Sequence, residues 1–296
     1  MTIFNRTNKT VPERLVKTRR IEFVYPDSDM PKYFVSGDLV MSHVVAVLSS
    51  LFPNGEDFFV NSVRNYRDKI TDAELKKQVA GFIGQEAIHG REHRAFNAKL
   101  SLMGYPTKSI DKRVEILFKG LAAKIMSKPM QLGVTAALEH YTATLAEVLM
   151  RDEKARNMID VDEVRSLLLW HALEESEHKA VAFDVYEHVC GKHWLRAMMM
   201  NYVTIGFMFA VVFDTATSLM LDKNAWNLKV LIASLKKLRH SPWLTKEVRS
   251  QIRAYNKRGF HPDDRDATEL VDYWRKTLFG SDGYLLERLK GADKAG

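Results

Sequence analysis

Cysteine is almost missing from this chain: Cys190 is the single one in 296 residues. No disulfide can form within the chain, and cysteine-based zinc or iron–sulfur sites are excluded. Any metal here has to be held by histidine and carboxylate. Glycine, at 15, and proline, at 8, are too scarce for a collagen-like or low-complexity chain. No window shows the strict alternation of a half-buried strand. The first residues hold no apolar run of secretory length. With one cysteine, a reducing cytoplasmic compartment is therefore the expectation. Hydrophobic residues at 46% and charged residues at 27% are ordinary for a globular chain and exclude disorder as the main state.

Acidic residues are scarce in one region only. The net charge is +7, and the whole excess lies in 223–296. Most of it falls in 223–258, where Lys223, Lys229, Lys236, Lys237, Arg239, Lys246, Arg249, Arg253, Lys257 and Arg258 face Glu247 alone. Such a block suits a polyanion or is a solvated helical face. Trp226, Trp243 and Tyr255 are interspersed, but no nucleic-acid motif accompanies them, so no nucleic acid is expected. An anionic membrane surface is the partner that fits better. Just before the block, Met198 to Leu221 is a run of 24 residues with one charge, Asp214. It is long enough to span a bilayer, yet Asp214, Asn201 and Thr204 make it polar for that. The run is either a fully buried fifth helix or a membrane contact on the cytoplasmic side.

Residues 1–37 carry Pro12, Pro26, Pro31 and Gly37 and read as a loose leader, with Arg6 and Lys9 among its basic residues. From 38 to 280 the pattern is helical, which predicts one all-α domain with a tail over 281–296. A first helix is expected over 38–51, broken at Pro53-Asn54-Gly55 and restarting at Glu56. Thr71-x-x-Glu74 has the form of a capping box opening a helix to about Met103. Further helices are expected over about 109–127, from Pro129 to about Arg151, and from Asp160 or Asp162 to Cys190-Gly191. Short basic helices follow over 225–258, with a last one over 266–279.

The buried stripes carry the chemistry. One reads Leu75, Val79, Phe82, Glu86, His89, His93, Phe96, Leu100. Another reads Val164, Leu168, His171, Glu175, His178, Ala182, Val185, Val189. Two more carry one carboxylate each, Glu139 after Leu132 and Ala136, and Glu56 before Phe59 and Val63. A buried carboxylate without a partner costs several kcal/mol, so it protonates or finds a cation. A Glu and a His at i,i+3 project side by side and suit a shared ion. Two single-Glu helices with two Glu-x-x-His helices is the pattern of ferritin-like di-iron or di-manganese bundles. The predicted ligands are Glu56, Glu86, His89, Glu139, Glu175 and His178. His171, one turn before Glu175, is counted with them, the other reading being a buried neutral partner to a ligand. His93 is assigned to the pocket or to supporting a ligand. Glu174 and Glu177 lie off the stripe and are expected in solvent, and His140 and Tyr141 are given no role.

The stretches Leu51-Phe-Pro-Asn-Gly-Glu56-Asp-Phe-Phe59, Gln85-Glu-Ala-Ile-His89, Trp170-His-Ala-Leu-Glu-Glu-Ser-Glu-His-Lys179 and Ala182-Phe-Asp-Val-Tyr186 resemble a bacterial family described as predicted metal-dependent hydrolases. The resemblance covers most of residues 20–280 and implies a ferritin-like four-helix bundle with additional C-terminal helices. The ligand pattern alone also resembles the di-iron arylamine N-oxygenases, which carry a histidine where His171 stands. These resemblances imply a pair of iron ions, or manganese with or without iron, and O2 as co-substrate in the oxidation of a small, lipophilic or amine-containing molecule. A metal-dependent hydrolase using a metal-bound hydroxide is the alternative. A non-catalytic metal-binding or membrane-surface protein is a third. A homodimer is compatible with the resemblance.

Overall fold

The structure is a computed structural model that describes residues 11–25 and 30–291. The parts of the expected leader and tail at 1–10, 26–29 and 292–296, with Arg6, Lys9 and Pro26, lie outside the described residues. Among the described residues the chain is all-α, and the only extended pairing is an isolated bridge between Ile21 and Leu289.

Four antiparallel segments form the core. They are α1 (Leu39–Arg64), α2 (Ala73–Leu102), α4 (Lys128–Arg151) and the pair α5 (Asp162–His178) and α6 (Val181–Val189). A shorter α3 (Thr107–Glu115) joins α2 to α4. α1 packs on α2, α2 on α5 and α6, α5 on α4, and α4 closes the ring on α1. This closed ring is consistent with a ferritin-like bundle. Beyond it, α7 (His193–Met220) lies along α4 and α1, and α8 (Leu228–Leu238) packs on α1. α9 (Lys246–Ala254) contacts α4, and α10 (Thr268–Phe279) contacts α5.

The α2 stripe is fully realised: Leu75, Val79, Phe82, Glu86, His89, His93, Phe96 and Leu100 are all buried. Several other expectations are corrected. The first helix does not break at Pro53-Asn54-Gly55; α1 runs through Pro53 to Arg64. Proline has no N–H for the carbonyl four residues back. That carbonyl, on Ser49, is instead served by the Asn97 amide at 2.9 Å. The cap of α2 is Asp72, whose carboxylate accepts from the Leu75 N–H, rather than Thr71. Neither aspartate caps α5: Asp160 accepts from the Ser36 N–H, and Val161 is the capping position. The helix expected to reach Cys190 is interrupted after His178. The helix expected over 109–127 widens to i→i+5 winding over Ile116–Ala122.

The leader is not loose where it is described. Arg19, Ile21, Phe23, Phe34 and Val35 are buried. Residues 16–18 run against α2 where Gly81 and Gly84 leave room: a Cβ at Gly81 would stand 2.1 Å from the Val16 carbonyl oxygen, and one at Gly84 2.0 Å from Thr18 Oγ1. Leu285 and Leu289 of the tail are buried in the same core cluster. Nor is α7 fully buried. One face packs through Leu195, Met199, Met200 and Val203, while Met198, Tyr202, Ile205, Phe209, Val212 and Met220 are exposed. α7 is the one helix among the described residues long and apolar enough to cross a membrane.

Candidate metal centre

The four core segments bring all seven predicted ligands, and His93, to one place in the middle of the bundle. Every one of the eight is buried. Their donor atoms fall into overlapping groups in which all atoms lie within 4.8 Å of one another: Glu86, Glu139 and His178; Glu56, Glu86 and His89; His89, His171 and Glu175; Glu56, His93 and His171. Glu86 belongs to two groups that share no other member, so it stands between two foci. Glu175 Oε1 is likewise 3.6 Å from both His89 Nδ1 and His178 Nε2. Glu56 sits well inside α1 and has no part in a helix start. Gly90 gives it space, since a Cβ there would lie 3.1 Å from Glu56 Oε2.

These donors lack protein partners. Fifteen buried side-chain atoms among the described residues have no hydrogen-bond partner, and nine of them are here. They are both oxygens of Glu56, Glu86 and Glu139, with Glu175 Oε2, His89 Nδ1 and His178 Nε2. His178 Nε2 does come within 3.1 Å of Glu86 and 3.2 Å of Glu139. Those are spacings of donors gathered about a common point, without hydrogen-bond alignment. Buried polar atoms are paired almost everywhere in folded proteins, so nine orphans in one cluster fit a set of side chains suited to hold cations.

The outer hydrogen bonds decide which nitrogen each imidazole turns inward. The Gln85 amide donates to Lys17 O at 3.1 Å and to Glu177 at 3.0 Å, which leaves its oxygen to accept from His178 Nδ1–H at 2.9 Å. The lone pair of His178 Nε2 then faces the cluster. His89 Nε2–H donates to Glu174 at 3.1 Å, so the Nδ1 lone pair faces in. For His171 the chain begins at Pro53. Asn97 spends its N–H on the freed Ser49 carbonyl, so its oxygen accepts the Ser49 hydroxyl at 2.7 Å. The Ser49 oxygen must then accept from His93 Nδ1–H at 2.9 Å. His93 Nε2 accepts from His171 Nδ1–H at 2.6 Å, and the His171 Nε2 lone pair points at Glu175 at 2.8 Å. Two lone pairs cannot sit that close without a proton or a metal ion between them. His171 thus stands as an inward donor, and His93 as its support, with both ring nitrogens engaged.

Glu174 and Glu177, expected in solvent, are buried instead. Arg19 holds both, at 2.9 Å and 2.7 Å, and Arg275 adds a bond to Glu177 at 2.9 Å. One guanidinium from the supposed leader therefore anchors Glu174, the partner of His89, and Glu177, which orients the Gln85 amide that serves His178. Sequence reading missed this layer because Arg19 is far away along the chain. The glycines Gly81 and Gly84, spaced to admit a crossing segment beside Gln85, were the available signal. His140 and Tyr141 do point elsewhere, to Gln251 O and Thr204 Oγ1.

Without a cation the charges oppose one another. Burial, reinforced by the Glu86 charge, holds the Glu56 carboxyl well above the usual carboxylate range. Burial and the same neighbour push Glu139 up to about 8. Burial also opposes charge on Glu175, but His178 and His171 outweigh it and hold this carboxyl low. Burial opposes protonation of His89 and His178, and the carboxylates beside them outweigh it and raise both. His93 and His171 are lowered, by burial first and then by neighbouring imidazole charge.

A cavity of about 200 Å³ reaches the centre at His171 and Glu175. Its wall is otherwise apolar, from Met41 and Phe52 of α1 to Leu145 and Leu149 of α4, with Ser49, Thr142 and Ser241 the remaining polar groups. A larger groove of about 500 Å³ by His140, Lys179 and Arg258 holds none of the clustered residues.

A family model described as predicted metal-dependent hydrolase matches residues 17–266. No curated protein and no solved structure gives a significant match to the chain.

Proposed function

The chain belongs to the predicted metal-dependent hydrolase family, and from that premise we propose that it is a dinuclear metal-dependent enzyme acting on a substrate held in the apolar cavity. The observation that carries this reading is the cluster of nine orphaned donor atoms with three imidazole lone pairs fixed inward. Glu139 and His178 would hold one ion, and Glu56, His89 and His171 the other. Glu86 and Glu175 would lie between the two. A bound pair of divalent ions supplies Lewis acidity and an activated water, and an iron or manganese pair also supplies electrons to dioxygen.

Hydrolysis is the reaction the family description supports. The cavity narrows the substrate for it. No lysine or arginine lines the wall, so the rest of an anionic substrate would find positive charge only at the ions themselves. An ester or amide with an apolar acyl group fits the lining. His171 and Glu175 at the inner end would set the reacting carbon beside the centre, and the apolar wall would exclude bulk water.

Oxidation by dioxygen is the second reading. The paired Glu-x-x-His helices with two single glutamates favour it. The two separate by experiment. Protein purified without chelators is assayed with apolar p-nitrophenyl esters, and separately for oxygen uptake with a chemical reductant. Ester turnover lost in Glu175→Ala supports hydrolysis. Iron-dependent oxygen uptake lost in the same variant supports oxidation. A fully metal-loaded protein silent in both assays, across a series of apolar probes, would contradict the enzyme reading.

A further inference from the structure

α7 is 28 residues long, about 42 Å of helix. Its outward residues, Met198, Tyr202, Ile205, Phe209, Val212 and Met220, recur at helical spacing and are exposed. No charge interrupts them. The two charged side chains of α7, Arg196 and Asp214, are both buried on the opposite face, bonded to the Tyr255 carbonyl and to Arg113. Ser218 on that face bonds His43, and Tyr141 bonds Thr204. These polar ties hold α7 against the bundle, and crossing a bilayer would carry Arg196 and Asp214 into hydrocarbon. A long apolar face held at the surface of the protein calls for a partner.

The elements that follow α7 carry a second exposed apolar stripe and the charge. On α8, Leu228, Ile232 and Leu235 are exposed along one stripe, with Lys229 and Lys236 exposed beside it. All ten basic residues of 223–258 are exposed, and Glu247 is tied to Arg265. Trp194 and Trp226 stand exposed near the two ends of α7. Apolar residues flanked by lysine and tryptophan are the composition of a helix lying in a lipid headgroup region. The cavity opens toward the same elements: Phe207 of α7, Leu238 of α8 and the following Trp243 and Leu244 line it, and Leu244 is 46% exposed.

We propose that the outward face of α7 and the stripe of α8 dock on an anionic lipid bilayer, and that the cavity receives a lipophilic substrate from it. The docking stands on the fold alone, whereas the substrate class rests on the enzyme reading above. A second copy of the chain is the disfavoured occupant, because a two-fold contact through α7 would set two basic blocks side by side.

The test is vesicle flotation, with metal content measured on the same samples. The protein, metal-loaded or metal-free, floats with vesicles of phosphatidylglycerol and phosphatidylcholine, less with phosphatidylcholine alone, and less again in high salt. Lys229→Glu with Lys236→Glu weakens binding to the mixed vesicles by roughly thirtyfold or more. Ile205→Asp with Phe209→Asp, at sites 72% and 67% exposed, abolishes flotation and leaves the metal content unchanged. Absence of flotation by the unaltered protein would overturn the proposal, as would flotation undiminished in the Asp variant. A concentration-dependent dimer that the Asp variant dissociates, without vesicle binding, would assign the face to a second copy. Loss of metal does not bear on these outcomes, so failure here and failure of the metal centre are told apart.

Discussion

The middle of the bundle and the outside of α7 break the usual partition in opposite directions. Inside, four glutamates and four histidines lie where apolar residues belong. Outside, a row of large apolar residues lies where charge belongs. Both regions lack a partner, but they are specified differently. The interior is fixed atom by atom, through hydrogen bonds running from Arg19 and Pro53 to named ring nitrogens. The outer face has no such bonds and depends only on area and charge. Single changes should therefore act sharply in the first region and gradually in the second.

The largest effect is expected at Arg19. Arg19→Met leaves Glu174 and Glu177 buried without their main cation, a loss of about 3–5 kcal/mol. Denaturant unfolding measures it, and metal binding at both foci should weaken together. Weakening at one focus alone would break the inference that one guanidinium supports both.

Asn97→Leu comes next. It strips the Ser49 carbonyl of its donor and frees the Ser49 hydroxyl to donate to His93, which undoes the tautomer chain. A loss of about 1–3 kcal/mol is expected from the unpaired groups. Metal affinity should fall by about 10- to 100-fold. Competition with a fluorescent chelator reads it.

Glu139→Gln should do the reverse for stability. It removes a buried carboxyl that has to take up a proton in the metal-free centre, and the metal-free protein should gain about 1–2 kcal/mol while losing affinity for an ion. A calorimetric melt with chelator present checks the sign.

Proton release adds a pH dependence. Glu139 at about 8 and the raised His178 hold protons in the metal-free centre at pH 7. Ions must displace them, so affinity rises with pH through that window and falls below it. Calorimetric titration in two buffers of different ionisation heat should show net proton release. Zero release at pH 7 would contradict the charge picture.

The smallest effect lies outside. Ile205→Ser should change stability by no more than about 0.5 kcal/mol, since the side chain touches solvent already. A drop of several kcal/mol would mean that the face is covered within the protein.

Much of the centre was legible because burial on a regular helix follows a fixed step. The α2 stripe named Glu86 and His89 directly, and the α5 stripe named His171, Glu175 and His178. What escaped depended on contacts far apart in sequence. Pro53 reads as a helix break, and the amide that compensates for it sits on Asn97, 48 residues away from Ser49. Glu174 and Glu177 read as solvated because Arg19 is 155 and 158 residues distant. A half-exposed apolar helix such as α7 gives the same run of residues as a buried one, so periodicity alone could not assign its outer face.

The most direct measurement is metal content per chain, by elemental analysis of protein purified without chelators, beside Glu86→Ala. Two foci that share Glu86 predict about two ions per chain in the unaltered protein and loss of both in the variant. No bound ion in either protein after reconstitution with iron, manganese or zinc would contradict the dinuclear centre.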